Sequence, residues 1–483
     1  MSEKNNDKIK QLQDKLLRKR ENNWKDISHK EAEIAEQYCR DYLNFSAVAK
    51  SVRKASHKAI AEAEAAGFKN LDDINNRQEK LKPGSTVYRC CRDRTVMLAR
   101  IGRRPMSEGL FVLGAHTDAP RLDGKPNPLY EDSEMALLDT HYYGGIKKYQ
   151  WVTMPLAIHG MIVRGDGSRI DFNIGEDEDD PVFVVTDLLP HLAKDQSSKK
   201  LAEGVPGENL NVLFGSRPIK DEDTKEAVKL NILQSLNDKY GITEEDLSSA
   251  EIEIVPAGKP RELGLDRSMM LAYAHDDRIS AYASLRAILD QEEEIPEYTS
   301  IVLLCDKEEI GSVGATGMES TFFENSIAEL MSAHEDGFTD LSFRRCLEHS
   351  KVLSADVCAA HDPNYPDVSA PNNNMPKING GTVLTKYTGS RGKSHASEAT
   401  AEFMGFVRKI FNDNNVNWQT GELGKVDQGG GGTIAMFLAR YGMDVIDCGP
   451  PLLSMHAPWE VAGKLDAYMT YKGFKSFLSY IGE

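Results

Sequence analysis

Apolar residues recur in this chain with two different spacings, and the exchange between them predicts alternating helices and strands. Residues 1–80 are predicted to be helical, because residues 31–66 carry an apolar face at helical spacing and residues 9–27 are rich in Lys, Gln and Leu. From about Thr86, short β-branched runs predict strands, among them residues 109–114. Strands that alternate with helices are typical of an α/β sandwich with a largely parallel or mixed sheet.

The middle of the chain has a different texture. Residues 129–264 contain apolar runs that suggest β-strands, such as residues 156–164, and then a polar stretch at residues 195–246. The strand–helix alternation resumes after this segment and continues to the end of the chain. We therefore expect an α/β/α sandwich formed by residues 1–128 and 265–483, interrupted by an inserted β-rich domain.

Five elements of the second half carry most of this prediction. Residues 299–305 and 351–355 are β-branched apolar runs that predict buried strands. Helices are predicted at residues 394–410 and 458–480, and a further helix is predicted to begin at Thr433 after a run of four glycines. These elements complete the predicted sandwich.

Composition narrows the classes of function. The 483 residues carry a formal net charge of −17, which argues against general binding to nucleic acid or anionic membranes. No apolar run approaches the roughly 20 residues that span a bilayer, and the charged first 20 residues do not resemble a signal peptide. The seven cysteines contain no C-x-x-C pair. We expect a cytoplasmic protein with reduced thiols and no nucleic-acid or membrane partner.

Two adjacent carboxylates, Glu308 and Glu309, follow the predicted strand at residues 299–305. Like charges side by side raise each other's pKa unless a cation lies beside them. A metal held by one carboxylate would relieve the repulsion and leave the other free to move protons. A solvated acidic turn is the alternative that fits most Glu–Glu pairs.

Further polar side chains stand just past other predicted strand ends, and the carboxyl ends of strands in an open sheet meet at one crevice. These residues are His116, Asp118, Asp276, Asp356 and His456. Two imidazoles with several carboxylates suit a pair of Zn²⁺, Co²⁺ or Mn²⁺ ions with one bridging carboxylate. Two such ions about 3.5–4 Å apart polarise a carbonyl and activate a water, whose proton a spare carboxylate takes.

Each residue alone has a simpler interpretation, and only the set favours a metal site. His116 and Asp118 could form a hydrogen-bonded turn, or Asp118 could orient the His116 ring. Asp276 could cap the helix that follows, and His456 could be a satisfied core histidine. The glycines at 429–432 do not match a phosphate-binding motif, and we interpret them as backbone held close to a substrate.

From about Tyr42 to its end, the chain resembles the aspartyl aminopeptidase/vacuolar aminopeptidase I family of dinuclear metallopeptidases, in a bacterial-type form. The motifs that carry the resemblance are GAHTDAPRLD, HYYGGI, HDDR, DKEEIGS, SADVCAAHDPNYPD, KYTGSRGK, ELGKVDQGGGGTIA and LSMHAPWE. The resemblance implies that Asp276 bridges two metals. It implies that His116 and Asp356 complete one metal site, and that Glu309 and His456 complete the other. It also implies that Glu308 is the general base and that Asp118 orients His116.

The resemblance has implications beyond the metal ligands. The inserted domain makes dimer contacts in this family, and the dimers assemble into a tetrahedral dodecamer. Lys386 matches a lysine that contacts substrate. His141 is a candidate for a histidine that reaches a neighbouring subunit's active site, although Tyr149 occupies the matching position. Ala359 stands where members that prefer acidic N-terminal residues tend to carry a histidine.

We therefore predict a metal-dependent aminopeptidase that removes N-terminal residues from peptides through a metal-bridging hydroxide, with Glu308 as general base. Zinc is the expected metal, with cobalt or manganese as alternatives. A carboxypeptidase or deacylase with a related dinuclear site is one alternative function. A catalytically inactive scaffold that keeps its metal for folding is another, and the spare carboxylate beside Glu309 argues against it.

Overall fold

Three β-sheets organise the computed structural model, which describes residues 2–18, 21–221, 223–291, 294–370 and 372–482. The described helices are α1 (Ser2–Leu16), α2 (His29–Val48), α3 (Val52–Ala65), α4 (Leu71–Asn76), α5 (Lys194–Ser197), α6 (Leu201–Gly204), α7 (Ala227–Tyr240), α8 (Glu244–Leu247), α9 (His275–Leu289), α10 (Phe322–His334), α11 (Asp340–Glu348), α12 (Ala401–Asp413), α13 (Ala435–Ala439) and α14 (Lys464–Leu478). The described strands are β1 (Lys69–Asn70), β2 (Thr86–Cys91), β3 (Thr95–Arg100), β4 (Leu110–His116), β5 (Arg121–Asp132), β6 (Met135–Tyr143), β7 (Leu156–Val163), β8 (Arg169–Ile174), β9 (Val184–Val185), β10 (Val212–Gly215), β11 (Glu251–Pro256), β12 (Arg261–Leu263), β13 (Met269–Ala272), β14 (Thr299–Cys305), β15 (Lys351–Ser354), β16 (Cys358–Ala359), β17 (Thr382–Thr385), β18 (Trp418–Thr420), β19 (Asp444–Gly449), β20 (Pro451–Leu453) and β21 (Glu460–Gly463).

The largest sheet has nine strands in the order β1-β2-β3-β14-β4-β15-β19-β17-β18. Its centre is parallel, since β4 pairs in parallel with β14 and β15, and β15 with β19. Alternate residues of β14 pack into two separate cores: Val302 joins the core on one face and Ile301 the core on the other. Helices cover both faces, which explains why these strands read as continuous apolar runs. The predicted α/β sandwich is confirmed.

A second sheet of seven strands, in the order β8-β7-β11-β5-β6-β10-β9, is drawn from the middle of the chain. Its apolar side chains form a third core that includes Trp151. The first of its strands, β5, begins at Arg121, ahead of the boundary expected at residue 128. A small five-stranded sheet, β12-β13-β21-β20-β16, combines two strands that follow the middle segment with three strands from residues 358–463.

Three helices are shorter than the sequence predicts. The opening helix ends at Leu16, and Asn23–Lys25 forms a separate 3-10 turn. The helix predicted from residue 394 begins at Ala401, where the Thr400 side chain accepts the Phe403 N–H and caps it. The closing helix begins at Lys464, because β21 pairs with β13 just before it. Among the described residues, no helix is both long and apolar enough to cross a membrane.

Candidate metal centre

Neighbouring strands bring the predicted site residues to one edge of the large sheet. His116 is the last residue of β4 and stands opposite Cys305, the last residue of β14. On the other side of β4, Ser354 ends β15, two residues before Asp356. Because these three strands are parallel, their carboxyl ends coincide, and Glu308, His116 and Asp356 line the same cleft.

Asp276 lies between the two histidines. One of its carboxylate oxygens, Oδ1, is 3.2 Å from His116 Nε2, and the other, Oδ2, is 3.3 Å from His456 Nε2. Glu309 Oε2 is 3.4 Å from the same nitrogen of His456. Asp276 does not cap α9, since the residue at the cap position is Ala274 and it makes no side-chain capping bond. The Asp276 carboxylate therefore faces both imidazoles at once.

Backbone carbonyls fix the orientation of both imidazole rings. The Nδ1–H of His116 donates to the carbonyl oxygen of Asp118 at 3.0 Å, and that of His456 donates to Gly145 at 2.9 Å. A histidine whose Nδ1–H is bound in this way offers the Nε2 lone pair to a metal. Both Nε2 atoms point toward Asp276, so the rings are arranged as metal ligands would be.

The turn that carries Glu308 and Glu309 is held by one buried carboxylate. The backbone N–H groups of Glu308 and Glu309 donate to Oδ1 and Oδ2 of Asp118, each at 3.1 Å. The hydroxyl of Tyr143 donates to Oδ2 of the same residue at 2.8 Å. Lys307 before the turn and Gly311 after it both have positive φ angles, of 70° and 93°. Asp118 thus positions the Glu308–Glu309 turn, and its carboxylate also lies 3.4 Å from His116 Nδ1.

Burial and mutual repulsion raise the pKa values of three carboxylates of this centre. Burial raises the pKa of Glu309 and of Asp356, and nearby carboxylates raise both further. Burial also raises the pKa of Glu308 to about 7; the charge of His116 lowers it, and those of Asp118 and Asp276 raise it. A cation at this position would remove most of that repulsion.

Two ligand sets fit a metal ion. Donor atoms of His116, Asp276 and Glu309 lie within 4.8 Å of one another, as do those of His116, Asp277 and Asp356. Glu309 Oε1 and Asp277 Oδ1 are buried and find no hydrogen-bond partner among the described residues. Unpartnered buried carboxylate oxygens beside imidazole nitrogens are the donor chemistry that zinc accepts.

Sequence reasoning missed two acidic residues of this centre. Asp277 accepts the backbone N–H of His116 through Oδ2. Glu460, 1% exposed, accepts the N–H of His456 through Oε1 at 2.7 Å and that of Asp276 through Oε2 at 3.0 Å. Asp277 falls inside the motif HDDR and Glu460 inside LSMHAPWE. A hydrogen bond to a distant backbone N–H, however, leaves no pattern in the sequence.

The cleft over the centre has a volume of about 860 Å³. His116, Asp276, Glu308, Glu309, Asp356 and His456 all line it. Lys386 lies between the lining residues Thr385 and Tyr387 without lining the cleft itself, and its Nζ is 3.9 Å from Glu398. His141 is exposed, does not line the cleft of its own chain, and donates from Nδ1 to the Tyr142 carbonyl. Their roles stay predictions.

A family model described as aminopeptidase I zinc metalloprotease (M18) matches residues 45–478. The chain belongs to the M18 family. The predicted resemblance is confirmed, and the chain is a zinc metallo-aminopeptidase by its family.

Bacterial relatives match this M18 chain over nearly its full length. It is 50% identical over 464 residues to a probable M18 family aminopeptidase 1 of Clostridium acetobutylicum, a match that covers 96% of this chain and 99% of that one. The crystal structure of an M18 aminopeptidase from Thermotoga maritima superposes with a TM-score of 0.90 at 44% identity, covering 96% of this chain and 100% of that one. The mApe1 dodecamer of S. cerevisiae, at 21% identity and a TM-score of 0.72, covers 93% of this chain and 97% of its own. It shares the fold.

Proposed function

We propose that this enzyme hydrolyses the N-terminal peptide bond of peptides at a site for two zinc ions bridged by Asp276. The observation that carries the proposal is that the two oxygens of Asp276 face different histidines, His116 and His456. Asp356 would complete the first metal site and Glu309 the second. Asp277 lies close enough to His116 and Asp356 to support the first site.

Zinc bound there would polarise the scissile carbonyl and acidify a water. Glu308 would take a proton from the attacking water and deliver it to the leaving amine, because its carboxylate is the more exposed of the pair and lies 3.9 Å from His116, whereas Glu309 lies 3.4 Å from His456. Asp118 would keep the base in place through the two backbone N–H groups that it accepts. The free α-amino group of the substrate would bind at the acidic end of the cleft, which favours exopeptidase cleavage.

Glu308→Gln tests this assignment. The variant should bind the same amount of zinc and lose roughly 10²–10⁴-fold in kcat, since it removes the base and leaves the predicted ligands intact. Metal content by mass spectrometry and turnover of aminoacyl anilides measure the two quantities. Glu319→Gln is the matched control, because Glu319 lines the same cleft but lies 3.7 Å from Arg440. Wild-type turnover by Glu308→Gln contradicts the role.

Metal identity and count are tested by reconstitution. Protein stripped of metal should regain activity with about two equivalents of Zn²⁺ per chain, and parallel loading with Co²⁺ or Mn²⁺ shows which metals support turnover. N-acyl amino acids assayed beside the aminoacyl substrates distinguish an aminopeptidase from a deacylase. Activity that saturates at one equivalent contradicts the dinuclear site.

We further propose that residues 129–264 form an assembly domain of a cytoplasmic homododecamer. The S. cerevisiae mApe1 protein, which shares the fold, is a dodecamer, and this supports the proposal. So does a set of apolar side chains in this segment that are half or more exposed: Val182, Leu188, Leu189, Leu192 and Leu201. All seven cysteines are free of disulfides, as suits a reducing compartment. Native mass measurement distinguishes twelve chains from two or one.

A further inference from the structure

Four cationic side chains line the cleft of a chain whose net charge is −17: Arg391, Lys393, Lys425 and Arg440. Two of them already have partners. Lys393 pairs with Glu398 at 2.9 Å and lies 3.9 Å from the Tyr387 ring. Arg440 pairs with Glu319 at 3.7 Å and lies over the Phe437 ring.

The other two cations, Arg391 and Lys425, differ in having no partner among the described residues. Neither side chain makes an ion pair or a hydrogen bond with any part of the chain that the structure describes. Arg391 is exposed and Lys425 is half-buried. Two unpaired cations in one cleft of an acidic protein form an attractive position for a negative group.

The loops that carry these cations are joined to each other and to the metal centre. The N–H of Gly389 donates to the carbonyl of Gly431 at 2.9 Å, which ties the Arg391 loop to the glycine run that follows Lys425. Ile434, at the end of that run, packs against Gly114 of β4, where a Cβ would lie 2.9 Å from Ile434 Cδ1. Gly114 precedes the metal-site residue His116 by two positions. The cationic side chains on these loops, which we call the cationic wall, and the metal centre line one cleft.

We infer that Arg391 and Lys425 bind a carboxylate on the leaving-group side of the substrate, so that the enzyme favours short peptides with a free carboxyl terminus. This inference rests on the proposed aminopeptidase function. With the N-terminus at the acidic metal centre, the peptide would run toward the glycine loops, which line the same cleft. Glu422 and Asp427 also line this cleft, and Glu422 accepts the Tyr387 hydroxyl. Arginine and lysine bind carboxylates through charge-assisted hydrogen bonds. The carboxylate is either the C-terminal one or an acidic side chain next to the scissile bond.

A comparison of matched peptides tests the inference. Wild-type enzyme should cleave Leu-Leu about tenfold or more faster in kcat/KM than Leu-Leu-amide, as expected for one charge-assisted bond in a partly closed site. Arg391→Gln and Lys425→Gln should each lower this ratio, and the double variant should bring it close to one. Cleavage of leucine anilide, which has no carboxylate, should change less than about twofold in all three variants.

The controls separate the possible failures. Arg440→Gln and Lys393→Gln remove cations of the same cleft that are already paired, and they should keep the acid-to-amide ratio of wild type. Equal cleavage of Leu-Leu and its amide by wild type, together with equal cleavage of Leu-Glu-Leu-amide and Leu-Gln-Leu-amide, overturns the inference. An equal loss on acid, amide and anilide in the variants overturns it as well. Absence of all turnover contradicts the proposed function instead, and calorimetric binding of the same two peptides to Glu308→Gln still measures the carboxylate preference.

Leu-Glu-Leu-amide and Leu-Gln-Leu-amide distinguish the two sources of the carboxylate. A preference for the glutamate peptide that disappears in Arg391→Gln assigns the wall to an acidic side chain. No preference between these amides, together with a strong preference for Leu-Leu over its amide, assigns it to the C-terminal carboxylate.

Discussion

Glu460 joins two proposed metal ligands that are 180 positions apart in the chain. Its two oxygens accept the backbone N–H groups of Asp276 and His456, so one side chain sets the relative position of these two residues. Partners that lie behind ligands in this way tune metal affinity, typically by 10–100-fold. Glu460 therefore belongs to the metal centre although it does not line the cleft.

Glu460→Gln should weaken zinc binding by roughly 10–100-fold, because the amide NH₂ cannot accept a backbone N–H and one of the two anchors is lost. Titration in zinc buffers measures the affinity, and kcat at saturating zinc should recover toward wild type. Glu422→Gln is a control, since Glu422 lies in the cleft wall and its side chain accepts just the Tyr387 hydroxyl from the part of the chain that the structure describes. Unchanged zinc affinity in Glu460→Gln contradicts the anchoring role.

Asp447 provides a pH-dependent contribution to stability. It is 3% exposed, accepts the Thr433 hydroxyl at 2.7 Å, and burial raises its pKa to about 6. Since the pKa is about 3.9 in an unfolded chain, folding favours the protonated form. The contribution of this group is complete below the unfolded pKa and is lost as pH rises through about 6.

Urea unfolding of wild type and Asp447→Asn, both stripped of metal, tests this prediction. The asparagine does not titrate at this position. The free energy of unfolding of wild type should fall relative to the variant by roughly 1–2 kcal/mol between pH 5 and pH 7.5. A difference that stays constant with pH shows that Asp447 is ionised throughout.

At the scale of elements, the glycine run at 429–432 packs its backbone against the loop that contains Gly389, and a side chain at the contact would block it. Gly430 has φ +125°, and a Cβ there would lie 2.0 Å from the carbonyl oxygen of Gly389. Gly432, two residues on, has no such restriction, since its Cβ would meet only Met436 Sδ at 4.0 Å. The two positions therefore differ in what an alanine would do.

Gly430→Ala should lower kcat/KM by about tenfold or more, because the two loops of the cleft wall can no longer meet as they do. Its melting temperature should change little, since both loops are largely exposed. Gly432→Ala should keep both quantities near wild type. Equal activity of the two variants shows that the contact between the loops does not shape the cleft.

The strands could be predicted better than the ends of helices. Residues 301–305 are apolar throughout because both faces of β14 are buried, and that pattern is local. Residues 460–463 follow the metal-site histidine and read equally well as the start of a helix. They form β21 only because β13 is available to pair with them. A partner 190 positions away decides that boundary, and no local spacing records it.

At the scale of the whole molecule, the metal-site residues could be collected from the sequence because they stand at the ends of adjacent parallel strands. His116 ends β4 and Asp356 follows β15, and these two strands pair in parallel, so topology alone places the two residues together. Gly145 and Tyr143 could not be found in this way. Tyr143 ends β6 of the second sheet, and its hydroxyl donates to Asp118. Gly145 lies two residues beyond that strand, and its carbonyl accepts from His456.

We expect these two contacts to couple the second sheet to catalysis, and Tyr143→Phe tests the coupling. Removing the hydroxyl takes one of the two donors from Oδ2 of buried Asp118. The Glu309 N–H is the donor that remains. A lost hydrogen bond to a charged group corresponds to about 1.5–3 kcal/mol, so kcat should fall by roughly 10-fold or more if the Glu308–Glu309 turn depends on it.

Tyr142→Phe, at a side chain that is 41% exposed, is the matched control and should leave kcat unchanged. Native mass should be the same in both variants. A fall in kcat without a change in assembly therefore means that the second sheet positions the catalytic turn directly, whereas wild-type turnover by Tyr143→Phe means that Asp118 holds the turn through the two backbone N–H groups alone.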